Sequence, residues 1–139
     1  MTDMNDFNKQ IIEEFRANEG VVGGPFAGSP VLLLTTTGRK SGQPFTTPLV
    51  YHPGDGSVTV YVFASKAGAP TNPDWYHNLL ANPTVTVELG PDRFEATASD
   101  VKGEDRDRVY ASQADKFANF AEYQKNTTRV IPVVALTRT

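Results

Sequence analysis

VLLLTTTGRKSGQPFTTPLVYHPGDGSVTVYVFA, residues 31–64, reads as three strands and the two turns between them. Val31–Thr37 is a continuous apolar run passing into β-branched threonines, the composition of a strand buried on both sides at its start. Gly38–Gln43 is a turn. Phe45–Tyr51 resumes as a strand, in which Pro48 implies an edge or a bulge because it has no N–H to give a ladder. His52–Ser57 is a hairpin loop, and Val58–Ala64 is a third strand rich in β-branched and aromatic residues.

The rest of the chain extends that pattern. Upstream, Phe7, Ile11, Ile12 and Phe15 lie on one face of an amphipathic helix over about residues 5–18. Val21–Pro30 is an extended connection. Downstream, Ser65–Thr71 is a loop, and Asn72-Pro73-Asp74 predicts an N-cap, a first-turn proline and a first-turn acid for a helix over Pro73–Ala81. Val85–Leu89 and Phe94–Val101 form a hairpin across Gly90-Pro91-Asp92. Glu104–Phe117 is helical, a further turn of helix covers Phe120–Lys125, and Val130–Leu136 is the last strand. Strands joined mostly by hairpins, with the last arriving from a distance, predict an antiparallel barrel of six to seven strands whose ends and sides are covered by helices. The pattern does not alternate strand and helix, which excludes a Rossmann-type sheet.

Composition narrows the chemistry. One domain over residues 1–139 is expected, long enough to bury roughly two-thirds of its unfolded surface without staples. Cysteine is absent, which removes disulfides, thiolate nucleophiles and zinc–thiolate or iron–sulfur centres. His52 and His77 are the only histidines, and no metal site is predicted. The first residues lack a basic stretch followed by an apolar one, and no run approaches the roughly 20 apolar residues of a bilayer span, so a cytoplasmic location is expected. A net charge of −3 argues against nucleic-acid binding. Residues 1–20 also sum to −3, which disfavours association with anionic lipid.

The charges are unevenly spread. Residues 20–73 hold one carboxylate, Asp55, beside Arg39, Lys40 and Lys66. Buried strand explains the missing acids, but not the gathering of the cations in turns. Arg39 and Lys40 between Gly38 and Gly42 could cradle a phosphate or carboxylate; taken alone, the turn reads slightly better as a hairpin with solvent-facing cations. Ser65-Lys66-Ala67-Gly68 leaves a buried strand and offers backbone donors to a flat ligand. Trp75 could stack on an aromatic ring, although its position suits the core better. Phe117, Phe120 and Tyr123 at helical spacing are core as a bare pattern. Ser65 and Tyr123 are the candidate proton donors, with no triad partner in the sequence, so hydrolysis is disfavoured and cofactor chemistry favoured.

LLLTTTGRKSGQPFTTPLVY, FASKAGAPTNPDWYHNL and FAEYQKNTTRVIPVV, in this order and spacing, resemble the deazaflavin-dependent nitroreductase family, a branch of the split β-barrel flavin-binding superfamily. The resemblance covers about Val31 to Val134. It implies an FMN-binding-like split barrel that holds coenzyme F420, a deazaflavin with a phospholactyl oligoglutamate tail. It places the tail on Arg39, Lys40 and Ser41, the next contact strand on Phe45, Thr46, Thr47, Pro48 and Leu49, and the ring on Phe63, Ala64, Ser65 and Lys66. The covering helix falls on Asp74, Trp75, Tyr76, His77 and Asn78, with Phe120 nearby. It also implies hydride delivery from reduced F420 to a quinone, enone or nitro compound, with Ser65 and Lys66 backbone donors facing the pyrimidine edge. Phe45 stands where family members usually carry arginine. Phe117 and Phe120 stand where the prodrug-activating member has tyrosines, which makes this pocket more apolar. FMN as cofactor, a non-catalytic F420 carrier and an empty structural barrel are the rival readings, and a homodimer is compatible with the class.

Overall fold

A computed structural model of the chain describes residues 4–22, 30–54, 59–65 and 72–139. Ten elements follow in order: α1 (Met4–Ala17), β1 (Val31–Thr37), β2 (Pro44–Pro53), β3 (Thr59–Phe63), α2 (Asp74–Ala81), β4 (Thr84–Leu89), β5 (Asp92–Val101), α3 (Gly103–Lys116), α4 (Ala118–Lys125) and β6 (Val133–Arg138). The six strands close into an antiparallel barrel in the order β1-β2-β3-β6-β5-β4.

Alternation along each strand sorts side chains between the lumen and an outer layer of helices. Leu32 and Leu34 of β1, Val62 of β3, Val85 and Val87 of β4, Ala96 and Ala98 of β5, and Val134 and Leu136 of β6 fill the interior. Trp75, Tyr76 and Leu79 of α2 join that cluster, so α2 plugs one end of the barrel. Outside it, Val31 and Leu33 pack under Ile11 and Phe15 of α1. On another side, Phe63 and Val133 pack under Val109 and Tyr110 of α3 and Phe120 of α4. This two-sided cover is why Val31–Leu34 reads as an unbroken apolar run. A fork from Arg16 Nε and Nη2 to the Glu88 carboxylate, at 3.0 and 2.9 Å, pins α1 to β4.

Some boundaries differ from the sequence reading. His52 belongs to β2, not to the loop, because it pairs with Tyr61 of β3. Asn72 is not the cap of α2: Pro73 holds that position with no side-chain cap, and the Asn72 Oδ1 instead accepts from Arg129 Nη1 at 2.7 Å. β6 starts at Val133 rather than Val130, since Pro132 has no N–H and its carbonyl accepts from Ala64 N at 3.0 Å. α3 ends at Lys116 rather than Phe117, and α4 starts at Ala118 rather than Phe120, because Phe117 between them is extended, at φ −133° and ψ 98°. Most of the connection over residues 21–30, the start of the third strand at Val58, and Lys66 with the remainder of its loop lie outside the described residues.

Candidate active site

The barrel is split on one side. β2 pairs with β1 from Pro44 to Val50, yet with β3 only at Tyr51, His52 and Pro53. The ladder ends at Tyr51↔Val62. Beyond it, among the described residues, no strand covers the second edge of Thr46–Leu49. Ala64 and Ser65 turn away: Ala64 N bonds to Pro132, and the carbonyls of Ala64 and Ser65 accept from Arg129. Two lips of strand backbone therefore face an opening, with N–H and C=O groups of alternate β2 residues directed into it. Pro48 sits on that unpaired edge, where a missing N–H does no harm to a ladder.

The turn between β1 and β2 lies at one end of this edge. Gly38 N bonds to the Gln43 carbonyl at 2.8 Å and Gly42 N to the Gly38 carbonyl at 2.9 Å. A Cβ on Gly38 would come within 2.6 Å of Ser41 Oγ and 2.7 Å of the Phe45 ring, so a larger residue would displace those side chains, and Gly42 takes φ +72°. Arg39 is held: its backbone N and Nη1 donate to Asn78 Oδ1 at 3.2 and 2.9 Å, and Nη2 lies 3.5 Å from Asp74 Oδ1. Asn78 is buried and passes the link on, donating to Thr36 Oγ1 at 3.3 Å. Lys40 and Ser41 are exposed, and Lys40 has no ion-pair partner among the described residues. Thr46 faces Thr35 across the strand pair, hydroxyl to hydroxyl at 2.7 Å. Phe45 is 52 % exposed at the mouth of the turn.

The helix residues divide by face. Asp74 is exposed and His77 half-buried, while Trp75 and Tyr76 point into the barrel. Tyr76 Oη donates to Asp100 Oδ2 at 2.6 Å. Burial, reinforced by that carboxylate, raises the Tyr76 phenol far above its ordinary pKa. Phe120 is buried against Phe63, with ring centroids 5.4 Å apart, and Tyr123 also packs on Phe120 at the same separation. Tyr110 Oη donates to the Phe120 carbonyl at 2.6 Å, and burial pushes the Tyr110 phenol up to about 12. Tyr123 Oη accepts from Asn119 Nδ2 at 2.9 Å.

The structure thus joins Arg39 to Asp74 and Asn78, and Ser65 through Arg129 to Asn72, at the approach to the same helix. It sets Phe45–Leu49 on the opposite lip from Ala64 and Ser65. Ser65 and Tyr123 share no hydrogen bond among the described contacts. Arg129 drew no attention as a site residue from its sequence, although a cation leading into the apolar run VIPVV is its one local signal.

An unpaired strand edge for a flat ring, beside an exposed ammonium and hydroxyl for an anionic tail, fits F420 by the chemistry of its donors. A closed six-stranded antiparallel barrel with flanking helices is the architecture of the flavin-type split barrels. The comparisons agree. Residues 8–138 match the model of the F420H(2)-dependent quinone reductase family. An F420H(2)-dependent quinone reductase of Mycobacterium tuberculosis is 46 % identical over 128 residues, covering 89 % of this chain and 85 % of that protein. A solved F420-H2-dependent reductase aligns at TM-score 0.70 and 39 % identity over 77 % of this chain and 93 % of that one. A second solved structure, described as a domain-swapped dimer, aligns at TM-score 0.71 and 34 % identity over 96 % and 99 %. The chain belongs to the F420H(2)-dependent quinone reductase family: it is an oxidoreductase whose cofactor is coenzyme F420. No helix among the described residues is long and apolar enough to cross a membrane.

Proposed function

We propose that this protein reduces a quinone with a hydride from F420H2 in the cleft between Thr46–Leu49 and Ala64–Ser65. The observation that carries the proposal is the end of the β2–β3 ladder at Tyr51↔Val62, which leaves strand backbone unpaired beside the exposed Lys40 and Ser41. The bound coenzyme supplies a two-electron hydride from its ring. Lys40 and Ser41 hold the anionic tail; Arg39 shapes the turn for them through Asp74 and Asn78. The Ser65 amide faces the ring edge that gains negative charge. Phe63 and Phe120 form apolar packing behind that strand exit and help keep water out. A quinone that accepts a hydride becomes a quinol monoanion and needs one proton. The Tyr123 hydroxyl accepts its hydrogen bond from Asn119, which leaves its own proton to donate, and its half-exposed position lets solvent restore it. Ser65 is the alternative donor on the lip itself.

The test is anaerobic mixing of the protein and F420H2 with a soluble naphthoquinone, following return of F420 fluorescence. Enzyme-dependent oxidation is expected; a rate equal to that of F420H2 and quinone alone would overturn the proposal. We also propose a homodimer, supported by the related domain-swapped dimer, and light scattering at micromolar concentration checks it.

A further inference from the structure

One guanidinium holds the strand exit. Arg129 Nη1 donates to the Ala64 carbonyl at 3.1 Å and to Asn72 Oδ1 at 2.7 Å, and Nη2 donates to the Ser65 carbonyl at 2.8 Å. Residues 65 and 72 bracket the intervening loop, so both of its ends are tied to a single planar cation. Arg129 is itself fixed from α4. Gln124 Nε2 donates to the Arg129 carbonyl at 2.8 Å, and Gln124 Oε1 accepts from Ile131 N at 3.1 Å and from Arg106 Nη2 at 2.6 Å. A fork whose backbone is anchored this firmly sets the orientation of what it binds.

The two carbonyls are not arbitrary. The carbonyl of Ala64 shares its peptide group with the N–H of Ser65, and the carbonyl of Ser65, held by the same guanidinium, fixes the other side of that residue. A cation bonded to the oxygen of an amide polarises the group and makes its N–H a stronger donor. Burial holds the Arg129 pKa below its ordinary value, yet an arginine there still carries its charge.

We propose that Arg129 is a positioning residue that orients Ser65 and polarises the Ala64–Ser65 peptide group presented to the deazaflavin ring, so that charge developing on the ring during hydride transfer is stabilised through it. This rests on the functional reading above. It assigns a catalytic consequence to a residue on the far side of the ring-facing peptide, outside the tail turn, the covering helix and the proton donors.

Arg129→Gln and Arg129→Lys test it, with folding checked by circular dichroism. In the coenzyme-free protein, the ¹⁵N–¹H resonance of Ser65 is read first. The Ser65 amide proton is expected to move to higher field in Arg129→Gln, with Arg129→Lys between it and wild type. With F420H2 bound, the single-turnover rate to a naphthoquinone is expected to fall roughly tenfold in Arg129→Gln, while the dissociation constant changes less than about threefold because the tail turn is untouched. A lysine variant that restores part of the rate supports the electrostatic role. Should Arg129→Gln not fold, Arg129→Lys alone decides by the same readouts. An unmoved Ser65 amide in a folded variant, or an unchanged saturating rate, overturns the inference while leaving F420 reduction of quinones standing. A wild-type protein that neither binds nor oxidises F420H2 overturns the functional reading and this catalytic role with it.

Discussion

Asn78 Oδ1 receives both the backbone N–H of Arg39 and its guanidinium Nη1, at 3.2 and 2.9 Å. One buried amide thereby fixes where the turn carrying Lys40 and Ser41 stands relative to the plug of the barrel. The two residues lie on different elements, and Thr36 Oγ1 takes the other end of the same side chain. The turn proposed to bind the tail and the plug of the barrel meet at this residue.

Asn78→Ala should therefore reduce both stability and coenzyme affinity. It removes an acceptor from the Arg39 N–H and a donor from Thr36, at a cost of about 1–3 kcal/mol. Urea unfolding measures the first effect and F420 fluorescence titration the second. A variant as stable as wild type would show that the amide is not the tie described here.

Lys40→Ala should act on binding alone. The ammonium is exposed and contributes to no ion pair among the described residues, so its loss should leave the melting temperature unchanged. F420 affinity should fall roughly fivefold at low ionic strength, about 1 kcal/mol, and the difference should shrink as salt is raised. Identical affinities for variant and wild type across a salt series would remove Lys40 from the tail site.

Trp75→Ala should unfold readily. The indole is 7 % exposed within the barrel core, and truncating such a side chain costs about 3–5 kcal/mol. Trp75→Phe, which keeps an aromatic plug, should recover much of that loss. Thermal denaturation followed by circular dichroism distinguishes this packing role from a ring-stacking role, which would show as altered F420 binding in a protein of normal stability.

His52 gives the barrel a pH dependence. Burial holds its imidazole below the ordinary 6.5, with the Lys116 charge adding to the effect and the nearby Gln113 amide opposing it. The unfolded chain then binds a proton more readily than the folded one. Stability from this residue is complete above pH 6.5 and is lost as pH falls through the lower folded value. His52→Gln should flatten the melting temperature between pH 7 and the acid side of that window, relative to wild type; parallel pH profiles would contradict the assignment.

Much of the fold could be read locally because strand and helix side chains repeat with fixed periods. Leu32 and Leu34 in the lumen, with Val31 and Leu33 under α1, account for the apolar run that opens β1. The tight turn at Gly38 and Gly42 was legible for the same reason: its contacts lie within a few residues. The boundaries at Asn72, Val130 and Phe117 were less legible, since at each the competing partner came from elsewhere in the chain or from a break in the backbone itself.

By itself, then, the order of residues determined an antiparallel barrel, the amphipathic helix before its strands, and a turn that carries Arg39 and Lys40 between two glycines. Tertiary structure alone decided where the barrel splits and what braces the split. Arg129 reaches Ala64 and Ser65 across 65 and 64 positions of chain, and Arg39 reaches Asn78 across 39. Periodicity records which way a side chain faces along its own element; it carries no record of which distant carbonyl a guanidinium will meet once the sheet has closed.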